Sequence, residues 1–151
     1  MAQIAQSFVR SQLISLRNDI LILPNVAVAE VVPYSETESV SGKPDWFLGM
    51  LSWRARNIPL VSFESICGGE KSDVLKTSRI AVINAIGGYC DMQFYALLVN
   101  GIPRLVQATG ENTRAEETKN EKGVLARINV EGVNAIIPDL DLVEKELCKV
   151  I

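Results

Sequence analysis

The fold of this chain is decided by residues 44–63, which read Pro44-Asp-Trp-Phe-Leu-Gly49-Met-Leu-Ser-Trp53-Arg54-Ala-Arg56-Asn-Ile-Pro59-Leu-Val-Ser-Phe63. Two apolar runs, 49–53 and 58–63, flank a short polar stretch, and this pattern predicts a β-hairpin. Its tip, residues 54–57, contains two arginines, whose charged side chains must face water. The residues just before the hairpin, 46–49, predict a short turn.

The rest of the chain repeats this pattern of short apolar runs separated by turn residues, which is typical of a mainly β protein. The predicted hairpins join residues 13–16 to 20–23, 80–83 to 92–99, and 124–130 to 133–137. The run 92–99 is the most continuously apolar, so Leu97 or Leu98 is expected in the core. Residues 26–32 form either a helical turn or a third strand, since their periodicity fits both.

Polar segments divide the chain. Residues 33–43 and 109–122 are rich in charged and hydroxyl side chains and predict exposed loops, the second of them mobile. Residues 67–73 include two glycines and are the strongest break, which predicts a boundary between two subdomains. The C-terminal stretch starts at Pro138-Asp139 and has leucines at helical spacing, so it predicts an amphipathic helix.

Composition and charge limit the function classes. The chain has 151 residues, of which 48% are hydrophobic and 22% charged, as expected of one folded domain. Lysine and arginine number 15 against 18 acidic residues, a net charge of −3. Because there is no basic surplus to neutralise phosphates, neither nucleic acid nor an anionic membrane is an expected partner. No run reaches the roughly 18 apolar residues of a membrane span, and we expect a cytoplasmic location.

Histidine is absent from the chain, which excludes Ser-His-Asp and Cys-His catalysis because both use imidazole as the base. The cysteines Cys67, Cys90 and Cys148 are widely spaced and lack the C-x-x-C spacing of metal or redox sites. We therefore expect three reduced, mostly buried thiols. Neither a catalytic residue nor a metal site nor a cofactor is predicted.

The remaining site candidate is the hairpin tip, where Trp53 stands beside Arg54 and Arg56. Tryptophan and arginine are enriched at protein interfaces, so the tip predicts a partner-binding surface with Trp53 on an exposed turn. The alternative interpretation is a core tryptophan with surface arginines. Glu36 and Glu38 are candidates for an acid/base pair, but they lie in a solvated loop without a pocket.

Two segments carry a family resemblance. Residues 44–63 resemble a pattern of proline, apolar residues and glycine, followed by an Asn-Leu-Arg-Gly turn and a strand that begins with Ile/Val-Pro. Gly49, Arg54 and Pro59 fall in register with it. Residues 21–32 resemble the family segment that ends in Val-x-Glu-Ile/Val, which places Val28 and Glu30 on matching positions. This pattern belongs to the CheW-like coupling domain of bacterial chemosensory systems.

The resemblance implies a fold of two SH3-like five-stranded β-barrels packed together, with short helical turns and a C-terminal helix. It covers nearly the whole chain. The expected bounds are a single CheW-like domain over 11–148, with subdomain 1 over about 11–66, subdomain 2 over about 78–137, the C-terminal helix over 139–148 and an N-terminal extension over 1–10.

The resemblance also implies a non-enzymatic function. Such proteins bridge the cytoplasmic tip of a methyl-accepting chemoreceptor to the regulatory domain of a CheA-like histidine kinase, and other CheW-like proteins are further candidate partners. Arg54 would contact the receptor tip beside an apolar groove. The expected partner-binding residues are Arg54, Trp53, Gly49, Val28, Glu30 and Ile102.

The chain departs from the family pattern at four positions. Ser52 replaces asparagine, Trp53 replaces leucine, Ala55 replaces glycine and Ser62 replaces an acidic residue. These differences indicate a divergent branch. Residues 23–31, together with Pro44-Asp-Trp46, resemble the accessory branch of the family found in chemosensory pili systems, which control twitching motility.

Two other function classes are the alternatives to this interpretation. One is a carboxylate-based enzyme that uses Glu36 or Glu38, which loss of activity on replacing either residue would support. The other is a small β-barrel module that binds oligonucleotides, which a steep salt dependence of RNA binding would support.

Overall fold

The structure is a computed structural model, and it describes residues 7–70, 73–117 and 120–151. Within these ranges the chain forms ten β-strands, two α-helices and one short 3-10 helix. In chain order they are β1 (Phe8–Ser15), β2 (Ile20–Pro24), the 3-10 helix (Asn25–Ala27), β3 (Val28–Pro33), β4 (Phe47–Trp53), β5 (Arg56–Val61), α1 (Phe63–Ile66), β6 (Ser78–Asn84), β7 (Phe94–Thr109), β8 (Thr113–Ala115), β9 (Val124–Val130), β10 (Val133–Pro138) and α2 (Leu140–Val150). The chain is mainly β, as predicted.

The strands form two groups that share the long strand β7. Its first half pairs with β5 and β6, and these pair in turn with β4 and β3. Its second half pairs with β1, and β2, β10, β9 and β8 continue that sheet. We call these groups the first barrel and the second barrel. The predicted architecture of two small barrels is confirmed.

The two barrels are not consecutive along the chain. Strands β1 and β2 precede the first barrel in sequence but belong to the second, and β6 follows the break at residues 67–73 but belongs to the first. The structure therefore groups the strands differently from the predicted subdomains 11–66 and 78–137. The reason is that β7 is one continuous 16-residue strand whose two halves have different neighbours. The outer bounds 11–148 stay a prediction.

Buried apolar side chains form three clusters. The first-barrel core contains Leu51, Trp53, Ile58, Leu60, Ile80, Val82, Ala96 and Leu98. The second-barrel core contains Leu13, Ile22, Val106, Val130 and Ala135. The central cluster joins both barrels to α2 and includes Ile14, Leu21, Phe47, Val61, Tyr95, Leu97, Val143 and Leu147. Because side chains alternate along β7, Leu97 enters the central cluster and Leu98 enters the first-barrel core, so both are core residues.

The decisive hairpin forms as predicted but has a shorter tip. Trp53 pairs with Arg56, so Arg54 and Ala55 alone connect the strands, in place of the predicted tip 54–57. Both connecting residues have positive φ, 45° and 59°. This combination is that of a type I′ turn, whose twist matches the strands it joins.

Some local expectations differ from the structure. The turn predicted over 46–49 is wrong, because β4 already begins at Phe47 and pairs with β5. Residues 26–32 contain both alternatives, a 3-10 helix followed by strand β3. The loop predicted over 109–122 includes strand β8, which pairs with β9, while residues 118 and 119 lie outside the described residues.

Strand β1 overlaps the last three residues of the N-terminal extension predicted over 1–10. Strand β1 begins at Phe8, and its first residues pair with the end of β7, where Phe8 lies opposite Thr109. Residues 1–6 lie outside the described residues.

The C-terminal helix is confirmed as α2. Its N-cap is Asp139, whose side chain accepts a hydrogen bond from the backbone N–H of Leu142. Neither α-helix in the described residues has the length and apolar character that a membrane crossing requires. The last turn of α2 carries Cys148, which forms a disulfide with Cys90. The prediction of three reduced cysteines is therefore wrong for this pair, and Cys67 is the free thiol.

Candidate functional site

Three of the predicted site residues meet at the tip of the β4–β5 hairpin. Trp53 Nε1 donates a hydrogen bond to Glu30 Oε1 at 2.8 Å. Arg54 Nη2 lies 3.5 Å from the same carboxylate oxygen. The guanidinium carbon of Arg54 also lies 4.8 Å from the centroid of the Trp53 ring. We call Glu30, Trp53 and Arg54 the tip cluster.

The tip cluster orients Arg54 without burying it. Its side chain is 65% exposed, and that of Glu30 is 37% exposed. An exposed ion pair and a cation–π contact each contribute about 1 kcal/mol or less, enough to bias the guanidinium orientation. Because a guanidinium has five N–H donors, most of them stay available to an acidic partner. The arrangement suits bidentate binding of a carboxylate.

Trp53 itself is a core residue. It is 8% exposed, and its ring centroid lies 5.0 Å from that of Phe94. The expectation of a tryptophan on an exposed turn is wrong, and the alternative of a core tryptophan with surface arginines describes the tip. The cause is the alternation along β4, which directs Leu51 and Trp53 into the first-barrel core. The partner-binding role of Trp53 stays a prediction, and it would act by positioning Arg54.

Gly49 is held by packing against the loop that precedes β4. Its φ is +129°, and a Cβ atom there would lie 2.6 Å from both the Glu38 carbonyl oxygen and Thr37 Oγ1. The loop cannot retreat easily, because Glu38 and Met50 exchange two backbone hydrogen bonds. Gly49 is thus required by the fold, whatever its role in partner binding.

Val28 and Ile102 lie where the barrels meet. Val28 begins β3, pairs with Ile83 and packs against the central cluster. Ile102 lies on β7 just beyond Asn100, which pairs with a strand of each barrel, and it is 79% exposed. Leu105 on the same strand is 71% exposed. Their lining of a partner groove stays a prediction.

An open groove of about 670 Å³ borders the other side of the hairpin. Arg56 lines it, donates a hydrogen bond to Gln93 Oε1 at 2.6 Å and lies 5.2 Å from the centroid of Phe94. Sequence reasoning missed Phe94 and Gln93. Both residues lie at the start of the apolar run 92–99, and that position in the sequence does not indicate that they reach the hairpin.

The carboxylates of the candidate acid/base pair face water. Glu36 and Glu38 are both exposed in the loop between β3 and β4. In the described ranges, no three His, Cys, Asp or Glu side chains are grouped so that they could hold a metal ion.

The free thiol Cys67 should react slowly. Burial raises the pKa of the Cys67 thiol to about 11, and the nearby Lys122 ammonium offsets part of that effect. Because the thiolate is the nucleophile, we expect its alkylation by iodoacetamide to accelerate about tenfold per pH unit from pH 8 to 10, as measured by peptide mass spectrometry. In the denatured chain, the rate should level off near pH 9. The same levelling in the folded chain would contradict a buried, protonated thiol.

The chain is similar to known proteins in sequence pattern and in fold. Residues 11–146 match the family model described as the CheW-like domain. The crystal structure of the scaffolding protein TtCheW from Thermoanaerobacter tengcongensis is similar, with a TM-score of 0.73 at 18% sequence identity. The similarity covers 88% of this chain and 90% of that chain, and at this identity it concerns the fold. No curated protein matches this chain. Because the family model spans nearly the whole sequence, the chain belongs to the CheW-like domain family.

Proposed function

We propose that this chain is a non-enzymatic adaptor that couples the cytoplasmic tip of a methyl-accepting chemoreceptor to the regulatory domain of a CheA-like histidine kinase. The observation that carries the proposal is the Arg54 guanidinium, oriented by Glu30 and Trp53 and 65% exposed at the end of the first barrel. Membership in the CheW-like family supports the same assignment.

Arg54 supplies the polar part of receptor recognition. Receptor helices commonly present acidic side chains, and a guanidinium pairs with a carboxylate through two parallel hydrogen bonds. Since Arg54 is already held over Trp53, binding would cost less side-chain entropy than for a free arginine. Glu30 would share the guanidinium with the receptor carboxylate.

The junction of the barrels supplies the apolar part of receptor recognition. Ile102 and Leu105 are large aliphatic residues that are mostly exposed on β7, while Val28 lies partly buried at the start of β3. A receptor hairpin that covers such residues gains about 25 cal/mol for each Å² of apolar surface removed from water. Docking of a helix by its apolar face is a common recognition mode. Gly49 would contribute by keeping β4 and its loop in place.

We further propose that the chain is a ChpC-type accessory adaptor of a chemosensory pili system, which controls twitching motility by type IV pili. Support comes from the departures from the common family pattern, Trp53 above all, which adds a hydrogen bond to Glu30 that leucine cannot make. In this role the protein acts in the cytoplasm, reaches the membrane receptor arrays through its partners, and works beside other CheW-like proteins. It neither inserts into the membrane nor binds nucleic acid.

Replacing Arg54 by glutamate tests the proposal. We expect receptor-tip affinity to fall about 30-fold, or about 2 kcal/mol, because the carboxylate pair is lost and like charges meet. The melting temperature should change little, since the side chain is exposed. Kinase-domain affinity should fall less. Calorimetric titrations against the receptor tip and the kinase regulatory domain, done separately, measure both effects.

Arg114→Glu is the matched control. It makes the same charge change at an exposed position on β8 of the second barrel, so receptor-tip affinity should stay within about twofold. Arg54→Lys should give an intermediate loss, because lysine cannot form the bidentate pair. Unchanged receptor affinity for Arg54→Glu, or loss of both interactions with a lower melting temperature, would remove Arg54 from the site.

A further inference from the structure

Helix α2 covers the central cluster. Its residues Val143 and Leu147 are fully buried there, together with side chains from both barrels. An isolated helix of 11 residues is marginal in water, so α2 depends on this docking to stay helical. A change that undocks α2 would therefore expose the central cluster where the barrels meet.

A covalent link fastens the last turn of α2. Cys148 in the helix is bonded to Cys90 in the loop between β6 and β7, across 58 residues of sequence. Both cysteines are partly exposed residues.

The contacts of Glu144, which lies on α2 near the disulfide, include one that costs free energy. Glu144 is 2% exposed, and its Oε1 accepts hydrogen bonds from the backbone N–H groups of Ile86 at 3.0 Å and Gly87 at 2.7 Å. Its Oε2 is buried without a partner among the described residues, as is the hydroxyl of Tyr95. Burying a carboxylate oxygen without a hydrogen bond costs free energy. This cost offsets part of the free energy that α2 gains by packing on the central cluster.

The polar contacts that remain are weak. The Tyr89 hydroxyl donates to Asp141, and Lys145 forms an ion pair with the same carboxylate at 3.1 Å. These side chains are largely exposed to water, which screens them. At the end of the helix, Lys43 Nζ donates to the carbonyl oxygen of Val150.

We propose that the Cys90–Cys148 disulfide is a redox latch that holds α2 on the central cluster and releases the helix when a dithiol reductant of the thioredoxin class cleaves it. A thiolate of the reductant attacks one protein sulfur, forms a mixed disulfide and expels the other sulfur as a thiolate. The second thiol of the reductant then displaces the first protein sulfur. The protein gains two electrons and two protons as two thiols, and the dithiol becomes a disulfide. This inference does not depend on the proposed receptor and kinase partners.

Hydrogen exchange on the full chain, with and without dithiothreitol, tests the latch. We expect reduction to accelerate amide exchange over residues 140–150 at least about tenfold, while β6 and the first half of β7 keep their protection. Unchanged exchange in α2 would overturn the proposal. Equal acceleration across all elements would also overturn it, because reduction would then unfold the whole chain.

Cysteine variants provide the controls. Cys67→Ser leaves the disulfide intact and should respond to dithiothreitol as the parent does. The double variant Cys90→Ser, Cys148→Ser should exchange rapidly over α2 in both conditions. Thiols can also be titrated in the denatured parent after purification in air without a reductant, and this measurement does not depend on folding. One reactive thiol supports the latch, and three would overturn it.

Discussion

Replacing Leu97 by alanine should lower the free energy of unfolding by about 3–5 kcal/mol, because it removes buried methyl groups from the central cluster and leaves a cavity. Leu97 is 0% exposed and lies opposite both Val61 of β5 and Ala81 of β6. With a strand on each side of β7 at this point, the backbone cannot collapse into the cavity. Urea unfolding followed by tryptophan fluorescence measures the loss.

Leu105→Ala is the matched control for this prediction. It truncates the same side chain on the same strand, but Leu105 is 71% exposed, so its free energy of unfolding should stay within about 0.5 kcal/mol of the parent. The loss of unfolding free energy for Leu98→Ala, in the first-barrel core, should lie between those of the Leu97 and Leu105 variants. Equal stability of the Leu97 and Leu105 variants would contradict the burial of Leu97 in the central cluster.

Replacing Gly49 by alanine should destabilise the fold by about 2–4 kcal/mol, through backbone strain and overlap together. The φ of +129° disfavours any side chain, and the new Cβ would lie 2.6 Å from the Glu38 carbonyl oxygen. That oxygen accepts a hydrogen bond from Met50, so moving it breaks the contact between loop and strand. Thermal unfolding compared with the parent measures the effect.

Gly42→Ala separates strain from overlap. Its φ is +78°, but a Cβ there meets nothing within 4 Å, so the cost should be about 1 kcal/mol from backbone strain alone. Equal losses at the two glycines would contradict the close packing of the loop on β4. Because a Gly49 variant is expected to be less stable, its stability has to be measured before weak partner binding is assigned to the loss of a contact.

Local signals in the sequence are sufficient for much of the fold. Alternating apolar residues and turn residues predict the hairpins, and an N-terminal acid with leucines at helical spacing predicts α2. The position of Arg54 at a hairpin tip follows from the same signals, since a charged turn between two apolar runs must face water. These features depend on residues that are close to one another in the sequence.

Other features need partners that are distant in sequence. The burial of Trp53 follows from β4 facing the first-barrel core, and its hydrogen bond to Glu30 joins two residues that are 23 positions apart. The Cys90–Cys148 pair is 58 residues apart, and no spacing rule brings α2 beside that loop. In each case the contact depends on which elements pack together.

The grouping of strands into barrels is the clearest case. A run of apolar residues predicts that β7 is buried, yet it says nothing about which strands lie beside each half. That choice depends on the summed burial of three clusters contributed by the whole chain. Strand identity is thus a property of short segments, because side-chain alternation and turn geometry are local. Strand partnership, the junction of the barrels and the docking of α2 are set by tertiary packing, because hydrophobic burial has no direction and rewards any arrangement that excludes water from all faces at once.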